Sequence, residues 1–240
     1  MAERRRAPAG AVGPPDKGTT AAPRPARGEL KGKGQRTRRA LLEAAEEIFG
    51  AVGYHDASIV KITELAGVAQ GTFYLYFSGK REIFDEVVAD LNQRVRHAMS
   101  EAARGATTRL EAARLGFAGF FRFTAEHPAL YRVIRQAEFV SPQALRHHYE
   151  TIIENYIPPL NDAMDTGEIA AGDPMVLAWS LIAVGEAIGM RWILWNEAHE
   201  VPPEVFNDMV TIIARMLGGH AVGESSKAGA VGPKVAERAD

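Results

Sequence analysis

Between residues 35 and 217 the chain is a continuous series of helical patterns, with no stretch in which polar and apolar residues alternate. In the first pattern Leu41, Ala45 and Ile48 recur at the three- and four-residue spacing that places side chains on one face of a helix. Gly53 then supplies a stop signal. Because strands require an alternation of period two, this sequence predicts an all-α fold.

Two short helices follow the first one. Ser58 is a plausible N-cap for a helix from Ile59 to Ala66, and a second short helix is predicted from about Ala69 to about Phe77. Gly67 lies between them, as in a helix-turn-helix. Longer helices are predicted at 80–103, 107–125, 129–138, 142–165, 174–196 and 203–217.

Charge and composition divide the chain into four parts. Residues 1–39 contain eleven Lys and Arg against three acids, a net charge of +8, whereas the rest of the chain carries −10. We therefore predict a disordered basic arm over 1–34 and a disordered tail over 218–240, with the helical patterns between them divided into a part over 35–82 and a larger part over 83–217. A solvated arm without function is the alternative for the first part.

Composition and motifs disfavour several classes of protein. The 240 residues include no Cys, which excludes disulfides and Cys-based metal sites and favours the cytoplasm. The most apolar stretch, Met175 to Trp195, is interrupted by Glu186 and Arg191, so we expect a buried helix and no membrane span. Gly28 to Lys33 is one residue too short for a phosphate-binding loop, and His147 with Glu150 is expected to be solvated. We expect no enzyme, no metal site and no cofactor.

The second short helix has two distinct sides. Phe73 and Phe77 fall on one side, while Gly71 and Leu75 point the opposite way. Such an outer face can approach the major groove of DNA closely. The alternative is that the aromatic residues of this helix only complete a small core.

Residues Arg39 to Val87 resemble the DNA-binding domain of the tetracycline-repressor (TetR) family. The resemblance rests on the run from Gly67 to Phe77, read as GVAQGTFYLYF, followed by Lys80. It implies a homodimer that binds an operator in double-stranded DNA through an N-terminal helix-turn-helix. It also implies that residues 35–82 form the DNA-binding domain and that residues 83–217 form a diverged ligand-binding and dimerisation domain. This helical bundle binds an effector, usually releasing a repressed promoter.

The resemblance also places DNA contacts. Gln70 is suited to read adenine and Leu75 to pack on a thymine methyl, whereas Tyr74 and Thr72 should position the helix. Ala69, Gln70 and Leu75 depart from the residues frequent in the family, so a base preference cannot be transferred. Since residues 68–79 contain no Lys or Arg, cations around them must supply the contacts to phosphate, with Arg81 and the arm as further candidates. The predicted DNA-binding residues are Arg36, Arg38, Arg39, Ser58, Lys61, Gln70, Gly71, Thr72, Tyr74, Leu75, Tyr76 and Lys80.

The larger helical part is predicted to contain a pocket and a dimer surface. The predicted pocket residues are Phe117, Phe121, Tyr131, Arg135, Tyr149 and Trp179. The predicted dimer residues are Leu177, Leu181, Val184, Ile188, Trp192, Val205, Met209, Ile212 and Met216. Gly185 and Gly189 would allow close approach of another helix, or would serve packing within the subunit. Core packing is the alternative for the aromatic residues, and surface placement is the alternative for the basic residues at 135 and 146–148.

Together these features favour a ligand-responsive transcriptional regulator, a repressor released from a pseudo-palindromic operator by a small apolar or amphiphilic effector. An acyl- or aryl-acyl-CoA thioester is one candidate effector. The alternative functions are a non-specific or architectural DNA-binding protein that relies on the basic arm, and a helical enzyme or carrier with a vestigial DNA-binding part.

Overall fold

The computed structural model describes residues 32–218, in which helices are the sole regular secondary structure. The arm predicted over 1–34 lies outside the described residues except for its last three, and Lys33 already begins the first helix. The tail predicted over 218–240 lies outside them except for Gly218. The helices are α1 (Lys33–Asp56), α2 (Ile59–Leu65), α3 (Gln70–Phe73), α4 (Lys80–Ala102), α5 (Arg109–Glu126), α6 (Ala129–Val140), α7 (Pro142–Asp165), α8 (Pro174–Gly189) with a π-helical extension (Met190–Leu194), and α9 (Pro203–Met216).

The helix boundaries follow from local chemistry. Gly53 adopts a φ of 80°, which interrupts α1 where the stop was predicted. The Ser58 hydroxyl accepts a hydrogen bond from the Lys61 backbone N–H at 3.1 Å and so caps α2. Thr108 and Asp173 cap α5 and α8 in the same way. The all-α prediction is confirmed.

One hydrophobic core joins the helix-turn-helix to the helices behind it. Phe49, Phe73 and Phe84 lie fully buried within it, and Val133 of α6 belongs to the same core. The contact between α1 and α6 is so close that a Cβ on Gly50 would lie 2.7 Å from the Ala129 Cβ. The predicted domain boundary at residue 82 therefore falls inside a shared core.

A second core joins α5, α7, α8 and α9. It buries Leu181 and Met209, which are 2% and 1% exposed, so these two residues cannot form the predicted dimer surface. The large exposed apolar residues of α8 and α9 are Met175, Val176, Trp179 and Ile212. Because α8 is apolar on nearly every side, its periodicity could not indicate which face packs inside the subunit.

Helix α8 and its extension, Pro174–Leu194, are long and apolar enough to cross a membrane by length and composition alone. One third of the most apolar window is buried in the subunit. Gly185 and Gly189 serve packing within the subunit, because an added Cβ would lie 2.4 Å from Phe117 Cε1 and 1.6 Å from the Tyr131 hydroxyl oxygen, respectively.

Candidate nucleic-acid interface and ligand cavity

The last part of the helix-turn-helix has one side exposed to solvent and the other side packed in the core. Gly67 turns the chain after α2 with a φ of 66°. Phe73 and Phe77 are buried, whereas Tyr74 and Leu75 are 46% and 49% exposed. The alternative that the aromatic residues of this helix only complete a core therefore applies to Phe73 and Phe77. It does not apply to the exposed Tyr74 or Leu75.

The recognition segment, by which we mean the second short helix predicted from about Ala69 to about Phe77, contains less regular helix than predicted. The α-helix covers only Gln70–Phe73, and tight turns continue to Phe77. In these turns the Leu75 N–H donates to the Thr72 carbonyl at 3.2 Å and the Tyr76 N–H to the Phe73 carbonyl at 2.9 Å. Gln70 and Gly71 are exposed, while Thr72 and Tyr76 are half-buried.

Lys80 is engaged within the subunit. Its ammonium group donates to the carbonyl oxygens of Tyr54, Ala57 and His55 at 2.7, 2.8 and 3.2 Å and lies 4.5 Å from the centroid of the Tyr54 ring. An ammonium group has three protons, and three carbonyls accept them. The contact with a DNA phosphate stays a prediction, and a phosphate would have to compete with these three carbonyls, since Lys80 connects the start of α4 to the end of α1.

Three of the arginines assigned to phosphate also have partners in the subunit. Arg38 pairs with Glu86 at 2.7 Å, and Arg39 pairs with both Glu43 and Asp90. Arg81 pairs with Asp85 and donates to the Ser141 hydroxyl. DNA phosphates must compete with these carboxylates. The pairs of Arg38 with Glu86 and of Arg39 with Asp90 join α1 to α4, and the sequence alone does not show that these helices are in contact.

Arg36 and Lys61 keep exposed side chains, and neither pairs with an acid among the described residues. The Lys61 ammonium makes one long hydrogen bond, 3.3 Å, to the Asp56 carbonyl. Ser58 uses its hydroxyl as the cap of α2. In the described region, Arg36 and Lys61 are therefore the cations best placed to meet phosphate.

A cavity of about 1180 Å³ lies between α4, α5, α6, α7 and α8. Four of the six predicted pocket residues line it, namely Phe117, Tyr131, Arg135 and Tyr149. Phe121 does not line it and lies instead in a smaller cleft of about 220 Å³ with Phe206, because its ring packs on α9. Trp179 also lies outside it, on the subunit surface, against the Tyr149 ring.

One wall of the cavity holds a half-buried acid, Glu186. The Tyr149 hydroxyl donates to the Glu186 carboxylate at 3.2 Å. Burial raises the pKa of Glu186, while the hydrogen bond from Tyr149 and the positive charge of Arg135 act in the opposite direction. The Arg135 guanidinium contacts the Met190 sulfur at 3.0 Å. In the sequence, Glu186 is recognisable only as an acid that interrupts an apolar run. That interruption is the one local sign that Glu186 could belong to a functional site.

The cavity lining also includes polar residues of α4 and α7 that sequence reasoning missed as a group. The Asn92 amide donates to the His148 carbonyl at 2.9 Å, and Arg96 Nε donates to the Asn92 side-chain oxygen at 2.7 Å. Arg96 and His148 line the cavity. Only the basic residues near His148 gave a hint, because 56 residues separate Asn92 from His148 in sequence.

Comparisons with known proteins agree with this geometry. Residues 41–87 match the sequence model described as bacterial regulatory proteins, tetR family. The uncharacterized HTH-type transcriptional regulator YdgC of Bacillus subtilis is 45% identical over 67 residues, which cover 28% of this chain and 34% of YdgC. The fatty acid metabolism regulator protein of Bacillus subtilis is 26% identical over 167 residues, covering 67% of this chain and 86% of that protein.

A solved structure extends the similarity to the helical bundle. The transcriptional regulator FadR from Bacillus subtilis, in complex with stearoyl-CoA, superposes with a TM-score of 0.67 at 22% sequence identity. The superposition covers 76% of this chain and 99% of FadR. At this identity the likeness shows a common fold.

Proposed function

We propose, from the premise that the chain belongs to the TetR family of DNA-binding transcriptional regulators, that it is a repressor released from its operator by an acyl-CoA thioester. The observation that carries the proposal is one subunit in which helix α4 packs in one core with the helix-turn-helix and also lines a large cavity. The relatives are transcriptional regulators, and no catalytic role is proposed. The cytoplasm is the proposed location.

The DNA-contacting surface is formed by the exposed side of the recognition segment. Gln70, Tyr74 and Leu75 are exposed on the outer side of this segment. The buried side chains of Phe73 and Phe77 hold its inner side in the core. An amide and an apolar side chain can read an adenine edge and a thymine methyl in the major groove. Arg36, Lys61 and the basic arm supply charge for phosphate contacts.

The cavity supports an amphiphilic effector. Its volume of about 1180 Å³ exceeds the usual range for small-molecule pockets, about 300–1,000 Å³, and so leaves room for a long apolar chain. Phe117, Phe120 and Ile134 give it apolar walls, and Arg96 and Arg135 give it positive charge. The stearoyl-CoA bound by FadR, which has the same fold, combines a long acyl chain with a charged group.

Helix α4 provides the coupling between the two sites. Arg96 and Met99 of α4 line the cavity, while Asp90 and Arg94 pair with Arg39 and Glu46 of α1. A shift of α4 on effector binding moves the recognition segment, so two recognition segments in a dimer no longer match half-sites about 34–36 Å apart. The effector must prefer the non-binding separation, since equal affinity for both states shifts nothing.

A dimer is proposed because one helix-turn-helix reads only one half-site. The exposed apolar side chains of α8 and α9 form a candidate surface for it. Val176, Trp179 and Ile212 are 62%, 44% and 50% exposed in the single subunit.

A competition experiment tests the function. Full-length protein is bound to a labelled fragment of the DNA that flanks its own gene, and bulk DNA is added in excess, with and without palmitoyl-CoA. A specific regulator should keep its site by a ratio of about 10³ or more and release it when palmitoyl-CoA is added. Equal loss to bulk DNA would support an architectural protein, and retention with palmitoyl-CoA would contradict the effector.

A further inference from the structure

The polar wall of the cavity is formed by Arg96 and His148, and Asn92, which does not line the cavity, shares hydrogen bonds with both. Asn92 and His148 are 4% and 5% exposed, and the Asn92 amide connects the His148 carbonyl to Arg96. Buried polar groups are normally hydrogen-bonded, and an unpaired one costs free energy. Two groups on this wall nevertheless have unused hydrogen-bonding capacity.

The first is the His148 ring. Its Nδ1 is enclosed and has no hydrogen-bond partner. Since the ring lines the cavity, Nε2 is the ring nitrogen left to meet a ligand. An orphaned buried N–H is rarer than an orphaned acceptor, which favours the tautomer with its proton on Nε2. Burial and the positive charge of Arg96 lower the His148 pKa to about 4, so the ring is neutral near pH 7.

The second is the Arg96 guanidinium. Its Nε donates to Asn92, while its two terminal nitrogens make no hydrogen bond or ion pair with the described residues. Among the described residues that line the cavity, Glu186 is the one acid; it accepts a hydrogen bond from Tyr149 and makes no ion pair with Arg96. Arg96 therefore brings a positive charge to the cavity without a carboxylate beside it.

We infer that Arg96 and His148 form a donor pair that holds an acceptor oxygen on the polar group of the effector. This inference rests on the effector-binding function proposed above. The acceptor belongs to the charged end of an acyl amphiphile, either the carboxylate of a free fatty acid or the thioester and phosphate oxygens of an acyl-CoA. The apolar chain then lies against the walls formed by Phe117, Phe120 and Ile134.

The donor pair is tested by calorimetric titration of the full-length protein with palmitoyl-CoA, palmitate and CoA alone. His148→Phe removes the donor, whereas His148→Gln keeps an N–H at a similar reach. We expect His148→Phe and Arg96→Met each to weaken binding about tenfold or more, and His148→Gln to stay within about threefold of wild type. His147→Phe is the matched control, since His147 is the exposed neighbour of His148 on α7 and does not line the cavity, and it should bind as wild type.

The three ligands distinguish the source of the oxygen. Weakened binding of palmitate as well as palmitoyl-CoA assigns the pair to a carboxylate or carbonyl next to the acyl chain. If the variants bind palmitoyl-CoA and unacylated CoA more weakly but bind palmitate as wild type does, the donor pair holds a phosphate of the nucleotide part.

The failures of the two proposals can also be told apart. If wild type binds palmitoyl-CoA and both His148→Phe and Arg96→Met bind it equally well, the donor pair is wrong and the effector class stands. If wild type binds none of the ligands, both are wrong. His148→Phe should not lower the melting temperature at pH 7.5, because it removes an unpaired buried nitrogen. Lost binding with a lowered melting temperature in His148→Phe and His148→Gln alike would indicate a structural role and overturn the donor pair.

Discussion

Lys80 and Lys61 lie in the same small domain, but their ammonium groups have different surroundings. Three backbone carbonyls surround Lys80, whereas Lys61 is exposed with one long hydrogen bond. Both residues have the same role in the prediction from sequence, because a lysine near a recognition helix suits a phosphate. Only packing shows that one of them stabilises the subunit.

We therefore expect Lys80→Met to lower the free energy of unfolding by about 1–3 kcal/mol, because it leaves carbonyls without a partner. DNA affinity should fall, while the slope of log K against log salt stays as in wild type. Lys61→Met should leave stability unchanged and reduce the slope by about one. Thermal unfolding and binding at four salt concentrations measure both, and a reversed pattern would show that Lys80 contacts phosphate.

His148 makes stability depend on pH. Its folded-state pKa of about 4 lies below the ordinary value of 6.5, so the unfolded chain takes up a proton first as pH falls. Unfolding should become easier between about pH 6.5 and pH 4, by about 2 kcal/mol at pH 5 relative to pH 7. Glu186 acts in the opposite direction, because its raised pKa makes burial less costly once it is protonated.

Comparison with His148→Phe isolates this effect. Denaturant unfolding of wild type and variant at pH 7 and pH 5 should show that the wild type loses more stability on acidification. Equal losses in the two proteins would contradict a buried neutral histidine.

At the scale of whole elements, helix α4 has two functional sides. One side lines the cavity, and the other is bound to α1 through Arg94, whose guanidinium pairs with Glu46 at 2.6 Å and Asp90 at 3.2 Å. His127 adds a further contact to Arg94 at 2.9 Å. The effector signal should therefore pass through α4 as a rigid body.

Arg94→Met should weaken the coupling between effector and DNA. We expect palmitoyl-CoA to bind with an affinity close to wild type and to reduce DNA affinity by a smaller factor, because α4 holds α1 less firmly. Arg114→Met is the control, since Arg114 is an exposed arginine of α5 that does not line the cavity. An unchanged coupling factor in Arg94→Met would remove these ion pairs from the pathway.

Elements differed in how far the sequence could predict them. The existence of each helix and its stop signals followed from periodicity and from Gly53, Gly67 and Pro142, because these act locally. The face of α8 that packs inside the subunit could not be predicted in this way, since a helix that is apolar all round can pack on either side. The cavity wall at Asn92 and His148 depends on contacts distant in sequence, which no local pattern contains.

At the scale of the whole molecule, the proposed dimer depends on surfaces that the single subunit leaves uncovered. Trp179→Glu should shift the protein to monomer, because it places a charge on the exposed apolar face of α8. Phe139→Glu is the control, since Phe139 is 83% exposed on α6. Sedimentation at micromolar concentration measures both, and a Trp179→Glu protein that remains dimeric would place the interface elsewhere.

The central claim is that two copies of the recognition segment read one operator and that an acyl-CoA separates them from it. Hydroxyl-radical footprinting on the DNA that flanks the gene tests this most directly, with wild type, a Gln70→Ala/Leu75→Ala variant, and wild type plus palmitoyl-CoA. We expect wild type alone to give two protected half-sites related by two-fold symmetry about one helical turn apart. The protection should be lost in the variant and on addition of palmitoyl-CoA. Unsymmetrical protection, or protection that the variant retains, would contradict the account.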